Sequence, residues 1–385
     1  MSYNGHAVID MDSHIYENWD LDRTYKEYMD PEYRDKYEEF SRVLKGQFVG
    51  AALWPRSPVY PMGTYDSVGF RPTSAMPQGI GTGEPSRAPT HHGMEIDAAC
   101  NWDPEVRLRD MDRAGIDTNV MFASFSDSFC VLKEIGFESA LNRAYHRYMY
   151  NYCAGQEGRL RWVGNSTLRD VPETIAQLKH WTEHDDNFAG MFISRACPDG
   201  TMLDNPVLHP LFAVSQELDM PIWIHGGANR PPLTPWVHAT NALYHGVGGA
   251  YALSALIGGG VFDLFPTLRV GLFESGCGWM PWIVEKLDDG FRPGSALTPN
   301  LKLKPSEIVA EGRVFCAVEA DEDFIEHTVE VLGEDILLFS TDYPHQGTPW
   351  PDGVSMITER KGLSDSAKVK MLSENGKRFL PRLAD

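Results

Sequence analysis

The chain has 385 residues, with 34 basic and 54 acidic side chains and a formal net charge of −20. A composition of 42% hydrophobic and 11% aromatic residues excludes a disordered chain, and the length suits one large barrel-type domain or two ordinary ones. The acidity argues against nucleic acid or an anionic membrane as partner, since both attract basic faces; it reads first as solubility.

Six cysteines (Cys100, Cys130, Cys153, Cys197, Cys277 and Cys316) are scattered without a CxxC pair. Neither a disulfide framework nor a zinc finger is expected from them, and buried free thiols in a reducing cytoplasm are. Residues 1–14 lack the basic-then-apolar pattern of a secretory signal. No apolar run approaches the ~20 residues of a membrane helix. Asn165-Ser166-Thr167 fits the glycosylation triplet, which carries no meaning in a cytoplasmic protein.

In chain order, residues 7–12 (AVIDMD) form a short apolar run ending in acid. From 18 to 99 the rhythm breaks into Pro and Gly clusters, tyrosines, and tryptophans at Trp19 and Trp54. A stretch this long with little periodicity reads as an inserted cap or lid, and its aromatics favour an ordered one. Strand-like and helix-like segments then alternate. Strands are expected at 117–124, 160–167, 188–194, 221–225, 268–274, 313–318 and 336–341. Helices are expected at 134–154, 171–184, 205–218, 241–257, 279–288 and 323–332, the third opened by Asn205-Pro206. Eight strands separated by helices predict an α/β fold of the (β/α)8 TIM-barrel type, a single domain with 18–99 inserted after the first strand. There is no GxGxxG after the first strand and no GxxxxGK[ST], which removes the best markers of nucleotide binding.

In such a barrel the active site lies at the carboxyl ends of the strands. Strand one ends in Asp12, with His14 two positions on. Strand five ends in His225, strand six in Glu274, and strand eight runs into Asp342 with His345 three further. One such residue alone would be a loop cap. Four strand ends converging on imidazole and carboxylate match the nitrogen and oxygen ligands of divalent zinc, manganese or iron. Ser275 is not in GxSxG, so a nucleophile elbow is not expected.

The strings IDMDSH, PIWIHGG, FPTLRVGLFESGCGWMPWIVEKLD and LLFSTDYPH together resemble the amidohydrolase-related family, in the branch of aminocarboxymuconate semialdehyde and resorcylate-type decarboxylases. The resemblance covers strand one and nearly everything from Trp102 onward. It implies that Asp12, His14 and His225 are metal ligands and that Asp342 touches the metal and handles a proton. Glu274 departs from the histidine that the decarboxylases carry on strand six. It reads as a metal ligand or as a general base, against a loop salt bridge. Glu17 and His345 read as further ligands or as residues that orient one. The full set exceeds one tetrahedral ion, so one or two ions are expected.

Arg195 is a candidate for binding a substrate carboxylate, against an ordinary ion pair. Trp54 and His92 in the cap are candidates for substrate contact, and Trp19, Tyr65 and His91 are weaker ones. His238 and His245, seven residues apart on the helix after strand five, read as helix surface, against a barrel-facing polar role. The first expectation is a metal-dependent hydrolase acting through a metal-activated water on a small or medium organic acid or carbonyl compound. The alternatives are a dinuclear non-haem iron monooxygenase and a non-oxidative decarboxylase on the same fold. A homodimer is expected from the resemblance alone.

Overall fold

The computed structural model describes residues 2–48 and 97–384, apart from 125–128, 130–131, 157, 196, 198–199, 227–236, 294, 297 and 346–347. Its centre is an eight-stranded parallel sheet: β1 (Ile9–Ile15), β2 (Thr118–Ala123), β3 (Leu160–Asn165), β4 (Phe188–Ser194), β5 (Ile222–His225), β6 (Val270–Leu272), β7 (Val314–Glu319) and β8 (Leu337–Ser340). Each strand pairs with the next in chain order. Beyond the end of β8 the first and last strands also meet. The Asp342 amide donates to the Asp12 carbonyl (2.9 Å) and the His14 amide to the Tyr343 carbonyl (2.6 Å). The result is the expected TIM barrel. Its strands are buried on both faces, which is why they read as continuous apolar runs.

Helices between the strands cover the barrel. α1 (Arg34–Phe48) and α2 (Pro104–Ala114) precede β2. α2 starts on an Asp103 cap with Pro104 in the first turn and ends on left-handed Gly115. α3 (Ile135–Cys153), α4 (Val171–His184), α5 (His209–Glu217) and α6 (Val237–Gly258) follow, then α7 (Val261–Leu264), α8 (Met280–Gly290), α9 (Pro305–Ala310) and α10 (Ile325–Leu332). β4 and α4 have the bounds that the sequence pattern predicts. Part of the expected cap is regular: short helical turns from Glu17 to Tyr33 lead into α1, where Tyr37 and Phe40 pack with Tyr25, Phe129 and Phe137. Trp54, Tyr65, His91 and His92 lie outside the described residues, as do the side chains of Trp19 and His238. The five described cysteines are buried. Among the described residues no helix is long and apolar enough to cross a membrane.

Two boundaries differ from expectation in ways that matter for the site. β1 runs on to Ile15 with a bulge between Asp10 and Ser13, so Asp12 and His14 lie inside the strand. A bulge re-aims side chains at a barrel rim. β6 stops at Leu272, which leaves Glu274 in the following loop.

One buried histidine is structural. His146 on α3 faces Gln177 Oε1 through Nδ1 (3.1 Å), and its Nε2 accepts the Asn165 amide (2.9 Å). That pairing requires the neutral ring. Burial lowers its pKa to about 4. The unfolded chain binds the proton from about pH 6.5 downward while the folded chain refuses it until about pH 4. Stability is therefore lost as the pH falls across that window, by about 3 kcal/mol from this residue. His146→Gln should flatten the slope of unfolding free energy between pH 6.5 and 4, measured by urea titration; an unchanged slope would assign the loss to other groups.

Candidate metal centre

The strand ends bring five of the expected residues into one cluster. Asp12 and His14 come from β1 and His225 ends β5. Asp342 and His345 follow β8. Asp12 Oδ1 lies 3.5 Å from His14 Nε2 and 3.4 Å from His225 Nε2, and His14 Nε2 lies 3.1 Å from Asp342 Oδ1. Ligand atoms of Asp12, His14 and His225 form one group within 4.8 Å of one another, and those of His14, Asp342 and His345 form a second. The two groups share His14.

These atoms crowd together without hydrogen-bond geometry. Asp12 Oδ1, both His14 nitrogens, His225 Nε2 and Asp342 Oδ1 are all buried and make no hydrogen bond. Orphaned buried polar atoms are costly, and so many aimed at one spot call for a cation. The donor set, mixed imidazole and carboxylate, fits a divalent metal.

Electrostatics lead to the same place. Burial raises the Asp12 pKa, but the His225 and His14 imidazoles outweigh it and hold the carboxyl at about 2. Burial disfavours the charged His14 ring, yet the Asp12 and Asp342 carboxylates beside it hold its pKa well above the usual histidine range. The cluster lacks positive charge, which a proton or a metal ion supplies. His345 is different: burial lowers it to about 4, so it stays neutral and ligand-competent. Its Nε2 is 3.1 Å from Ser124 Oγ, and its ring stacks on Tyr16 at 5.0 Å.

Glu274 stands beside this cluster. Its Oε2 lies 3.7 Å from His225 Nδ1 and 3.0 Å from His245 Nδ1. Burial raises the carboxyl, but His245, His225 and Arg195 hold it well below the ordinary range. Since Nε2 of His225 faces Asp12, the carboxylate sits at the other ring nitrogen, where a residue that orients a ligand belongs. Glu274 and Asp342 both adopt left-handed backbone, at φ 49° and 55°. Aspartate enters that region readily, as Asp219 also does, whereas a glutamate held there carries backbone strain.

Two expectations need revision, and Glu17 takes one of the two roles expected of it. His245 is not on the helix surface: it is buried against Glu274 and Arg195. Arg195 is not an open clamp for a substrate carboxylate. Its guanidinium donates to the Phe273 and Glu274 carbonyls (3.1 and 2.8 Å), with His245 Nδ1 at 3.3 Å, so it holds the Glu274 loop. Glu17 is buried and accepts the Ser124 amide (2.9 Å), which ties the loop that carries the His345 partner.

Residues 9–382 match the family described as amidohydrolase. The chain belongs to that family. A curated relative, 2-amino-3-carboxymuconate-6-semialdehyde decarboxylase of Dictyostelium discoideum, is 27% identical over 309 residues, 74% of this chain and 78% of that protein. Among solved structures, an amidohydrolase from Mycobacterium avium subsp. paratuberculosis superposes with a TM-score of 0.71 at 19% identity, over 97% of this chain and 99% of that one. A 5-carboxyvanillate decarboxylase from Novosphingobium aromaticivorans, complexed with manganese and 4-hydroxy-3-methoxy-5-nitrobenzoic acid, superposes at 0.66 and 18% identity over 97% and 96%. These matches agree with the branch expected from the strand-end strings. This amidohydrolase is thus a member of a superfamily of metal-dependent enzymes, and its relatives with assigned reactions here are decarboxylases.

Proposed function

We propose that this amidohydrolase is a non-oxidative decarboxylase of a small aromatic or conjugated carboxylic acid. The observation that carries the reading is the set of unpartnered, buried ligand atoms at the ends of β1, β5 and β8. The decarboxylase relatives favour carbon dioxide release over the hydrolysis expected from sequence. In this reading the chain is one barrel with residues 18–99 as its inserted cap.

Asp12, His14, His225 and Asp342 would hold the metal. When bound, a divalent cation supplies Lewis-acid charge for an oxygen-rich substrate. Asp342 is the ligand carboxylate within reach of an incoming molecule: its side chain is 22% exposed, against 2% for Asp12, while Glu274, at 21%, is engaged by His225 and His245. It is the catalytic acid of this proposal. It gives a proton to the carbon that bears the substrate carboxylate. The bond from that carbon to the carboxylate then breaks, its electron pair stays with the conjugated skeleton, and carbon dioxide leaves. Glu274 fixes the ring of His225, and His345 lies against Asp342 with Nδ1 3.7 Å from Oδ2.

A second reading, a two-metal centre suited to hydrolysis or, with iron, to oxygen activation, is favoured by the second ligand group of His14, Asp342 and His345. One experiment separates them. The protein is purified without added metal, its metal content is counted, and it is reloaded with manganese and given 5-carboxyvanillate and 2,6-dihydroxybenzoate. Carbon dioxide release with one ion per chain is the expected result. Two irons per chain with no carbon dioxide from either acid would overturn the decarboxylase reading.

A further inference from the structure

Beneath the ligands lies a buried polar chain that the proposed chemistry does not use. Arg107 on α2 is fully buried. Its Nη2 donates to the His14 carbonyl (2.5 Å) and its Nη1 to Asn119 Oδ1 (2.9 Å). Its Nε faces the Cys100 carbonyl and the Tyr152 hydroxyl (3.3 and 3.2 Å). Asn119 sits on β2 directly across from Asp10 in register. Its Nδ2 donates to Asp10 Oδ2 (2.9 Å), and its Oδ1 also accepts from the Ser13 hydroxyl (2.8 Å). Arg107 can only donate and the Asp10 carboxylate accepts, so the amide orientation is fixed by its neighbours.

Asp10 completes the chain. Its Oδ1 accepts the amides of Asp12 (3.3 Å) and Thr341 (3.0 Å), and its Oδ2 accepts the Thr341 hydroxyl (2.5 Å). Arg107 also lies over the ring of Tyr343 at 5.0 Å, and the carbonyl of Tyr343 receives the His14 amide. A single connected set thus grips the backbone at Asp12, His14 and Thr341. It spans the bulge in β1 and the junction of β1 with β8, where Asp12, His14 and Asp342 are presented.

We propose that Arg107 is a positioning residue of the metal centre, acting through the His14 carbonyl directly and through Asn119 and Asp10 on Asp12 and the residue before Asp342. The proposal rests on the metal-centre reading. A planar fork with several simultaneous acceptors sets their spacing, which a lysine ammonium cannot reproduce. Partners behind metal ligands typically change affinity by ~10- to 100-fold when altered.

The test is manganese titration of metal-stripped protein against a chromophoric chelator, with thermal unfolding of the metal-free forms alongside. Arg107→Lys keeps the buried charge and loses the fork; Asn119→Ser breaks the links to Asp10 and to Arg107 Nη1 and leaves the Arg107 bond to the His14 carbonyl in place. Both should weaken manganese binding ~10-fold or more, beyond any change in metal-free stability. Tyr152→Phe removes one Arg107 contact that leads to no ligand, and it should bind manganese as wild type does. If either Arg107→Lys or Asn119→Ser folds and binds as tightly as wild type, the positioning role is overturned while the metal centre stands. Failure of both variants to fold while Tyr152→Phe folds would overturn it too, by making the chain a folding element. Wild-type protein that takes up no metal would overturn the metal-centre reading first.

Discussion

Replacing His225 with alanine should strip this amidohydrolase of its metal. A divalent ion held by four protein ligands is worth roughly 10–16 kcal/mol in small zinc sites, so one imidazole carries on the order of 3–4 kcal/mol, or about two to three decades of affinity. His225 ends β5 and brings an unpartnered Nε2 to Asp12. No other described imidazole lies within 4.8 Å of both Asp12 and His14. Metal content after dialysis, with circular dichroism to establish the fold, is the measurement; retained metal would show that the ligands are misassigned. The same assay on Glu274→Gln separates two roles for that carboxylate. A residue that orients His225 costs ~10- to 100-fold in affinity, whereas a ligand costs as much as His225 itself.

Asp342→Asn should uncouple activity from stability. Turnover is expected to fall by ~10²- to 10⁴-fold, the usual contribution of a positioned acid or base. The fold should not suffer. Asp342 sits at φ 55°, a conformation that asparagine enters readily. The exchange also removes one of two carboxylates crowded on His14. The melting temperature of the metal-free protein should change little, since the carboxylate attraction lost at His14 is offset by less repulsion from Asp12, and the metal-bound gain should shrink. Activity above a tenth of wild type would remove Asp342 from the proton-transfer role.

The barrel was legible because its strands are buried on both faces and therefore read as uninterrupted apolar runs. The ligands were legible because they follow those runs. What escaped has a physical reason in each case. Glu274 read as the end of a strand, but the chain leaves the sheet at Leu272 and turns through left-handed backbone, a choice made by its neighbours. His245 lies in a glycine-rich helix without an amphipathic signal, so nothing in the pattern marks its buried face. Gly248 is required there because a Cβ would lie 2.6 Å from the Arg195 side chain. Arg107 is one of several arginines on an ordinary capped helix. Only the tertiary fold distinguishes it from Arg113, which is half-exposed and pairs with Asp110 at 3.1 Å.

The junction between β1 and β8 has a consequence for how the enzyme comes to be made. Asp10 and Thr341, which meet there, are 331 positions apart in the chain. A ribosome releases Asp12 and His14 early and Asp342 only after almost the whole barrel has been synthesised. The nascent chain therefore carries an incomplete donor set for most of translation. With Asp342 as a ligand, metal loading would be a late event, and the bound ion would tie the first strand to the last. Loss of the metal should then be felt first as opening between the first and last strands, well before the rest of the barrel gives way.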